Sequence, residues 1–444
     1  MTLMISVSGV RGIVGETMTP MLAAEMGAMF GSYLGGGTVV IGRDSRPSGT
    51  MVHNAVTSGM LAAGCHVVEL GVVTTPGVAL MVGERSAAGG VVITASHNPE
   101  QWNGIKFITS EGFAPPPELA EQIFDRYRRK DFHFAGVEQL RELERDLTTH
   151  DRHVAKVTRV LNVEAIRRRQ LKVVLDSVNG AGGLGGKMLL ERLGCKVTHL
   201  NSEPHGRFAH PPEPTAENLV GLCEAVREHG ADVGFAQDPD ADRLAIVDNQ
   251  GRYIGEEYTV ALATKYMLSK QVGAVAVNLS TSRMVDDLVA QAGDGAVVHR
   301  TPVGEANVAR AVLTHGCVIG GEGNGGVIDP RVVPVRDSFV GMGLVLDLLA
   351  EDWRPLATIV DEMPRYVMIK QKFEVDREAI QAWLERVRMS TDGQSNDADG
   401  LRIDWPEGWV HVRPSNTEPI ARVISEAADE KTAVSLARRI TELL

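Results

Sequence analysis

The chain has 444 residues, 43% hydrophobic, 23% charged and 5% aromatic, the make-up of a folded globular protein whose cores rest on Val, Leu, Ile and Ala. That length exceeds what one core usually organises and points to roughly three domains. A formal charge of −12 with no basic tract argues against nucleic-acid binding, so an anionic ligand must be gripped by local groups.

In chain order, a strand over 38–41 meets the turn Gly42-Arg43-Asp44-Ser45-Arg46-Pro47, a helix over 52–63 follows, and a strand over 66–70 returns. Val91, Val92 and Ile93 then run as a buried strand into the bend Thr94-Ala95-Ser96-His97-Asn98-Pro99, where Pro99 biases Asn98 away from the helical region. A second copy has strands over 171–175, 196–200 and 232–236, with helices before Gly194 and over 219–229, and ends at Gln237-Asp238-Pro239-Asp240-Ala241-Asp242-Arg243. The third has strands over 274–278, 296–300 and 317–320 and helices over 282–292 and 307–314, and ends at Gly321-Glu322-Gly323-Asn324-Gly325-Gly326. Each copy finishes with a strand feeding a polar loop, so the expectation is triplication of one α/β unit with function where strands end. Beyond about 366 the pattern changes to a strand over 366–375, a helix over 377–387, a mobile loop over 390–400 and strands over 401–405, 408–412 and 420–425. A closing helix is capped by Asp429. The expected domains are 1–150, 151–252, 253–365 and a smaller α+β domain, 366–444.

Cys65, Cys195, Cys223 and Cys317 are too widely spaced for a zinc site or a disulfide framework and read as core residues of a reducing compartment. The segment Met1 to Ser6 lacks a signal-peptide pattern, and apolar runs such as 340–350 are too short to span a membrane. The expectation is a cytoplasmic protein with no membrane partner.

Asp238, Asp240 and Asp242 stand at alternate positions, so an extended loop can turn three carboxylates to one hard cation. Arg243 and Asn249 stand where a calcium EF-hand needs Gly and Glu, and three carboxylates plus a phosphate oxygen suit Mg²⁺ instead. Mutual repulsion makes Asp240→Asn a change expected to stabilise the metal-free protein. Arg413-Pro414-Ser415-Asn416-Thr417-Glu418-Pro419 combines a guanidinium, hydroxyls, an amide and backbone N–H groups, an inventory that fits a phosphate cradle and equally an ordinary turn. Glu322 and Asn324 between glycines can hydrogen-bond vicinal hydroxyls. Ser96 reads as a nucleophile or as a loop hydroxyl bonded to its own backbone.

Together these loops resemble the α-D-phosphohexomutase superfamily, over essentially the whole chain and in order. Thr94 to Pro99 resembles its phosphoserine loop, Ser8-Gly9-Val10-Arg11-Gly12 its N-terminal arginine loop and Asn103-Gly104-Ile105-Lys106 its catalytic-lysine segment. Asp238 to Arg243 is similar to its metal loop, Gly321 to Gly325 to its sugar loop and Arg413 to Pro419 to its phosphate loop. The resemblance implies three tandem similar α/β domains with mixed sheets and a smaller C-terminal α+β domain around a central cleft. It also implies a phosphoryl group on Ser96, Mg²⁺ held by Asp238, Asp240, Asp242 and a phosphoserine oxygen, and transfer between O1 and O6 through a hexose 1,6-bisphosphate that also activates the enzyme. Arg11, Arg243 and Lys106 supply positive charge, Lys106 by proton transfer or charge stabilisation, and His97 supports them. Glu322, Asn324, Arg413, Ser415, Asn416 and Thr417 bind the hexose phosphate, in a monomer or homodimer.

The chain departs from the phosphomannomutase/phosphoglucomutase pattern at Asn324 and Gly326, which replace Ser and His of the sugar loop, and at Thr301-Pro302-Val303-Gly304-Glu305, which replaces a Lys-Thr-Gly-His segment. The segment 301–305 resembles that of members acting on glucosamine phosphate, whereas Asn416 does not, and glucose and mannose phosphates remain alternatives. A phosphatase is disfavoured because a hydrolase needs no distal phosphate cradle, and a non-catalytic sugar-phosphate binder by the intact Ser96, Lys106 and aspartate triplet.

Overall fold

A computed structural model describes residues 3–6, 9–375, 377–414 and 420–444. Ser8, Ser415, Asn416, Thr417, Glu418 and Pro419 lie outside the described residues. The expected repeat is a topological fact. In the second sheet the order is Lys196–Leu200, Lys172–Asp176, Val233–Gln237, Leu244–Asp248, parallel except for the last strand. The third sheet has the same order: Val297–Thr301, Ala274–Asn278, Ile319–Glu322, then antiparallel Gly326–Ile328. The first carries it too, as His66–Val72, Thr38–Arg43, Gly89–Ile93 and antiparallel Trp102–Thr109, extended at its edges to seven strands. All three sheets are mixed, and helices cover both faces of strands such as Gly89–Ile93, buried along its whole length.

In every copy the loop with the most unusual chemistry joins the third strand to the antiparallel fourth. Ser96 follows Gly89–Ile93, the three aspartates follow Val233–Gln237, and Gly323 to Gly325 follow Ile319–Glu322. These are the carboxyl ends of parallel strands, where open α/β sheets leave a crevice.

Several helices escape a reading by apolar periodicity. Thr75–Glu84 and Ser338–Glu351 are buried nearly all round, so no polar face marks them. Thr74 and Asp337 cap them, each accepting from a backbone N–H of the first turn. The fourth domain is a five-stranded sheet, in order Val367–Glu374, Ile420–Ala427, Gly408–Pro414, Leu401–Trp405, Gln394–Asn396, antiparallel throughout. The stretch 390–400, expected as a mobile loop, thus contributes a short edge strand. The closing helix Glu430–Thr441 is capped by Asp429, as expected. Among the described residues no helix is long and apolar enough to cross a membrane, and all four cysteines are free.

Candidate active site

Ser96 sits at φ +51°, in the left-handed region that costs a non-glycine residue roughly 1–2 kcal/mol, and only 1% of its surface is exposed. Its N–H donates to Thr94 Oγ1 at 2.9 Å and its hydroxyl donates to Asp238 Oδ2 at 3.0 Å, joining the first repeat to the second. His97 Nδ1 lies 3.4 Å from the same hydroxyl. Burial first, then Arg243 and Arg11, push the His97 imidazole down to about 3, so it is neutral.

Asp238, Asp240 and Asp242 are fully buried, each offering an oxygen within 4.8 Å of the others. Burial and the two neighbouring carboxylates push Asp238 well above the usual range. Burial acts the same way on Asp240 and Asp242, but Lys106 holds Asp240 down, and Arg336 with Lys106 holds Asp242 down. Asp240 Oδ1 and Asp242 Oδ1 are buried with no hydrogen-bond partner. Three converging carboxylates with two orphaned oxygens are a donor set that fits a hard divalent cation.

Lys106 comes from the antiparallel strand opposite Val92, with Nζ 2.7 Å from Asp240 Oδ2 and 3.3 Å from Asp242 Oδ2. It faces the carboxylates rather than solvent. Burial works against its charge, yet Asp240 and Asp242 outweigh burial and raise its pKa. Arg11, opposite Gly104 on the neighbouring strand, donates to Asn98 Oδ1 at 2.9 Å. Arg243 closes the aspartate loop, its N–H donating to Asp238 Oδ1 at 3.2 Å and its Nε buried without a hydrogen bond, 4.0 Å from Asp242 Oδ1.

A cavity of about 590 Å³ opens beside these groups, lined from all four domains by residues that include His97, Arg243, Glu322, Asn324 and Arg413. A second of about 340 Å³ adjoins it through Arg243, Glu322 and Asn324 and reaches Arg11 and Lys106. Such volumes suit a small polar ligand. Glu322 Oε1 accepts from Asn278 Nδ2 at 2.8 Å, and Asn324 Oδ1 is buried with no partner. Arg413 Nε lies 3.1 Å from Asp399 Oδ2. Of the expected phosphate loop only Arg413 and Pro414 are described, whereas Ser415, Asn416 and Thr417 are not.

The sequence reading missed Arg336. Its Nη1 donates to Glu322 Oε2 at 2.9 Å and its Nη2 to Asp242 Oδ2 at 2.7 Å, so one guanidinium links the sugar loop to the aspartate loop. No local pattern marks it, because its partners lie 14 and 94 positions away. Gly326 was the available signal: a Cβ there would lie 2.1 Å from Arg336 Cδ, so this glycine leaves room for the arginine stem.

A buried serine against an aspartate triplet, arginines and a lysine around it, and a polar cleft shared by three repeated α/β domains and a fourth define an enzyme that handles phosphorylated sugars. The chain belongs to the phosphoglucomutase/phosphomannomutase family. Profiles of its α/β/α domains I, II and III match residues 3–134, 151–251 and 255–366, and that of its C-terminal domain matches 369–443. A phosphoglucomutase/phosphomannomutase of Thermococcus kodakarensis is 39% identical, over 96% of this chain and 94% of that protein. A Methanopyrus kandleri protein assigned as a phosphoglucosamine mutase is 38% identical, over 98% and 96%. The crystal structure of a phosphoglucomutase/phosphomannomutase family protein from Burkholderia thailandensis superposes with a TM-score of 0.87 at 26% identity, over 99% of this chain and 98% of that one. The protein is therefore an isomerase, a phosphohexomutase.

Proposed function

We propose that this phosphohexomutase moves phosphate between O1 and O6 of a hexose by way of Ser96, with glucosamine 6-phosphate to glucosamine 1-phosphate as the main reaction and glucose or mannose phosphates as alternative substrates. The observation that carries the reading is the meeting of the Ser96 hydroxyl with Asp238 in a cleft that Lys106, Glu322 and Arg413 also reach. Arg413, with the loop that follows it, holds the phosphate that is not reacting. Glu322 and Asn324 hydrogen-bond the O3 and O4 hydroxyls and so aim the free hydroxyl at Ser96. The bond between phosphorus and Ser96 Oγ breaks as one to the sugar oxygen forms, and the proton lost by the sugar hydroxyl ends on Ser96 Oγ, which leaves as a free hydroxyl. The resulting hexose 1,6-bisphosphate reorients and returns its other phosphoryl group to Ser96, and the same bisphosphate primes an unphosphorylated enzyme.

Phosphoryl transfer depends on positioning and charge neutralisation more than on covalent assistance from the protein. Arg11, Arg243 and Lys106 neutralise the migrating group, and Lys106, beside Asp240 and Asp242, transfers a proton or stabilises charge. His97 is neutral and supports the serine bend. Asp238, Asp240 and Asp242, with a phosphoserine oxygen, would hold Mg²⁺, which supplies electrophilic stabilisation of the phosphoryl oxygens. We assign the domains as 1–150, 151–252, 253–365 and 366–444, in a cytoplasmic monomer or homodimer.

The test is intact mass of the active enzyme together with turnover of a panel of glucosamine, glucose and mannose phosphates primed by bisphosphate. One phosphate adduct, absent in Ser96→Ala, and interconversion of 1- and 6-phosphates are expected. An adduct on another residue would sink the assignment of Ser96.

A further inference from the structure

The turn Asp44-Ser45-Arg46 contributes no group to the chemistry described above, yet Arg46 is 1% exposed, among the most deeply buried side chains in the chain. Its guanidinium has five acceptors, one carboxylate and four carbonyls. Nε donates to Asp44 Oδ2 at 3.0 Å, Nη1 to the carbonyls of Pro99 at 2.7 Å and Trp102 at 2.9 Å, and Nη2 to the carbonyls of Ser96 at 2.7 Å and Asn98 at 2.6 Å. A guanidinium has five N–H groups, and all are used. Asp44 completes the hub. Its Oδ1 accepts from Arg46 N–H at 3.0 Å, and its Oδ2 accepts from Thr94 Oγ1 at 2.6 Å, the hydroxyl that in turn accepts from Ser96 N–H.

The serine bend is therefore gripped from both ends: Thr94 and Asp44 hold its N–H side, Arg46 its carbonyl side. A left-handed serine persists only where its surroundings over-determine it. Loss of the guanidinium would leave buried carbonyls unpaired, and the cheapest relief is rotation of the 96–98 peptides, which moves the hydroxyl. The second domain closes over this hub. The Phe208 ring centre stands 5.0 Å from the Arg46 guanidinium carbon, Ser45 Oγ donates to the Asn179 carbonyl at 2.7 Å, and Gly206 passes so close that a Cβ there would lie 2.2 Å from the Ser45 carbonyl oxygen.

We propose that Arg46, roofed by Phe208, is a positioning residue that fixes the Ser96 hydroxyl for phosphoryl transfer. The proposal rests on the reading that Ser96 carries the transferred group. Arg46 touches no substrate and acts through the Ser96 and Asn98 carbonyls. Lysine cannot replace it, because three donors on one atom cannot span four carbonyls and a carboxylate laid out around a plane.

The test compares Arg46→Lys and Phe208→Leu with the wild-type enzyme by steady-state kinetics, thermal melting and the ³¹P resonance of the phosphoserine. Arg46→Lys should lower kcat by about 100-fold, the scale of a misplaced reacting atom. KM for the sugar phosphate should be unchanged, since Glu322, Asn324 and Arg413 are untouched, and the phosphoserine resonance should shift or broaden. Phe208→Leu keeps all five hydrogen bonds but removes the aromatic face. It should lower kcat by about threefold with the same resonance affected, and it carries the test if Arg46→Lys does not fold. A folded Arg46→Lys enzyme with wild-type kcat, or Phe208→Leu with an unchanged kcat and resonance, overturns the proposal, as does a parallel change in KM and kcat. Absence of any phosphate on wild-type Ser96 would instead sink the reading beneath it.

Discussion

The three aspartates are chemically alike and sit in unlike surroundings, which separates what each does in the metal-free protein. Asp240 and Asp242 have Lys106 and Arg336 against them, whereas Asp238 meets the Ser96 hydroxyl and the two other carboxylates. Alternate spacing alone made Asp240→Asn the candidate for relieving repulsion; the contacts move that role to Asp238. Asp238→Asn should raise the melting temperature of the metal-free protein, because it removes the carboxylate that burial and its neighbours disfavour most. Asp240→Asn should lower it, at a cost of about 3 kcal/mol of stability, because it takes the nearer partner from a largely buried lysine. Both changes should cost turnover. Calorimetry in chelator decides: a melting temperature for Asp238→Asn below that of Asp240→Asn would reverse this assignment of charges.

Among the elements, the sugar loop is held from behind by two groups on other segments. Arg336 ties Glu322 to Asp242, and the Glu257 carboxyl lies against Gly323, where a Cβ would come within 2.0 Å of Oε2. Glu257 Oε2 also accepts from Ser282 N–H at 2.9 Å. Burial, only partly offset by Lys370, pushes Glu257 up to about 8. The folded protein therefore retains a proton that the unfolded chain releases near pH 4.5, so the stability is fully present below that pH and declines as pH rises to about 8. Glu257→Gln should be the more stable protein at pH 9, with the advantage shrinking toward pH 5 in urea titrations; an advantage that does not change with pH would contradict the buried-carboxyl account. Glu322→Ala should lose rate and also erode the preference for gluco over galacto phosphates, since the two series differ at O4. An unchanged ratio would mean that the loop does not read that hydroxyl.

The strand-end loops were legible because each packs its chemistry into a few consecutive residues after an apolar run. Arg46, Arg336 and Glu257 were not, although Arg46 lies in a turn the sequence marked: their partners are remote in the chain, and a buried arginine has the same letter as a surface one. The helices Thr75–Glu84 and Ser338–Glu351 stayed hidden for the opposite reason, being apolar all round and so without period.

The molecule as a whole joins its domains by buried polar contacts as well as apolar packing. His153 and Asp337, both fully buried, meet at 2.6 Å between the helices Thr149–Arg159 and Ser338–Glu351, and Thr75 Oγ1 donates to Asp240 Oδ2 at 2.5 Å. One apolar core runs through the first three domains, whereas the fourth has its own. The fourth domain is therefore the unit most free to move as a body. It is held to the third by Arg283, whose Nη2 reaches Asp404 Oδ1 at 3.1 Å and the Trp405 carbonyl at 3.0 Å, by Ser280 against His411 Nδ1 at 2.8 Å, and by Asp399, which accepts from Val303 N–H at 3.0 Å. Arg413 and Arg422 of this domain line the cleft, so its seating sets how a distal phosphate is met, while His97 and Arg243, the neighbours of Ser96 and Asp242 in the chain, line the same cavity. Arg283→Ala should accordingly raise KM for the sugar phosphate by about tenfold, the scale of a lost charge-assisted contact, and widen the particle in X-ray scattering. Loading of Ser96 with phosphate should be unaltered at saturating bisphosphate. If the substitution lowers that loading while leaving KM and the scattering profile as they were, the fourth domain is not a phosphate-gripping body hinged on the third.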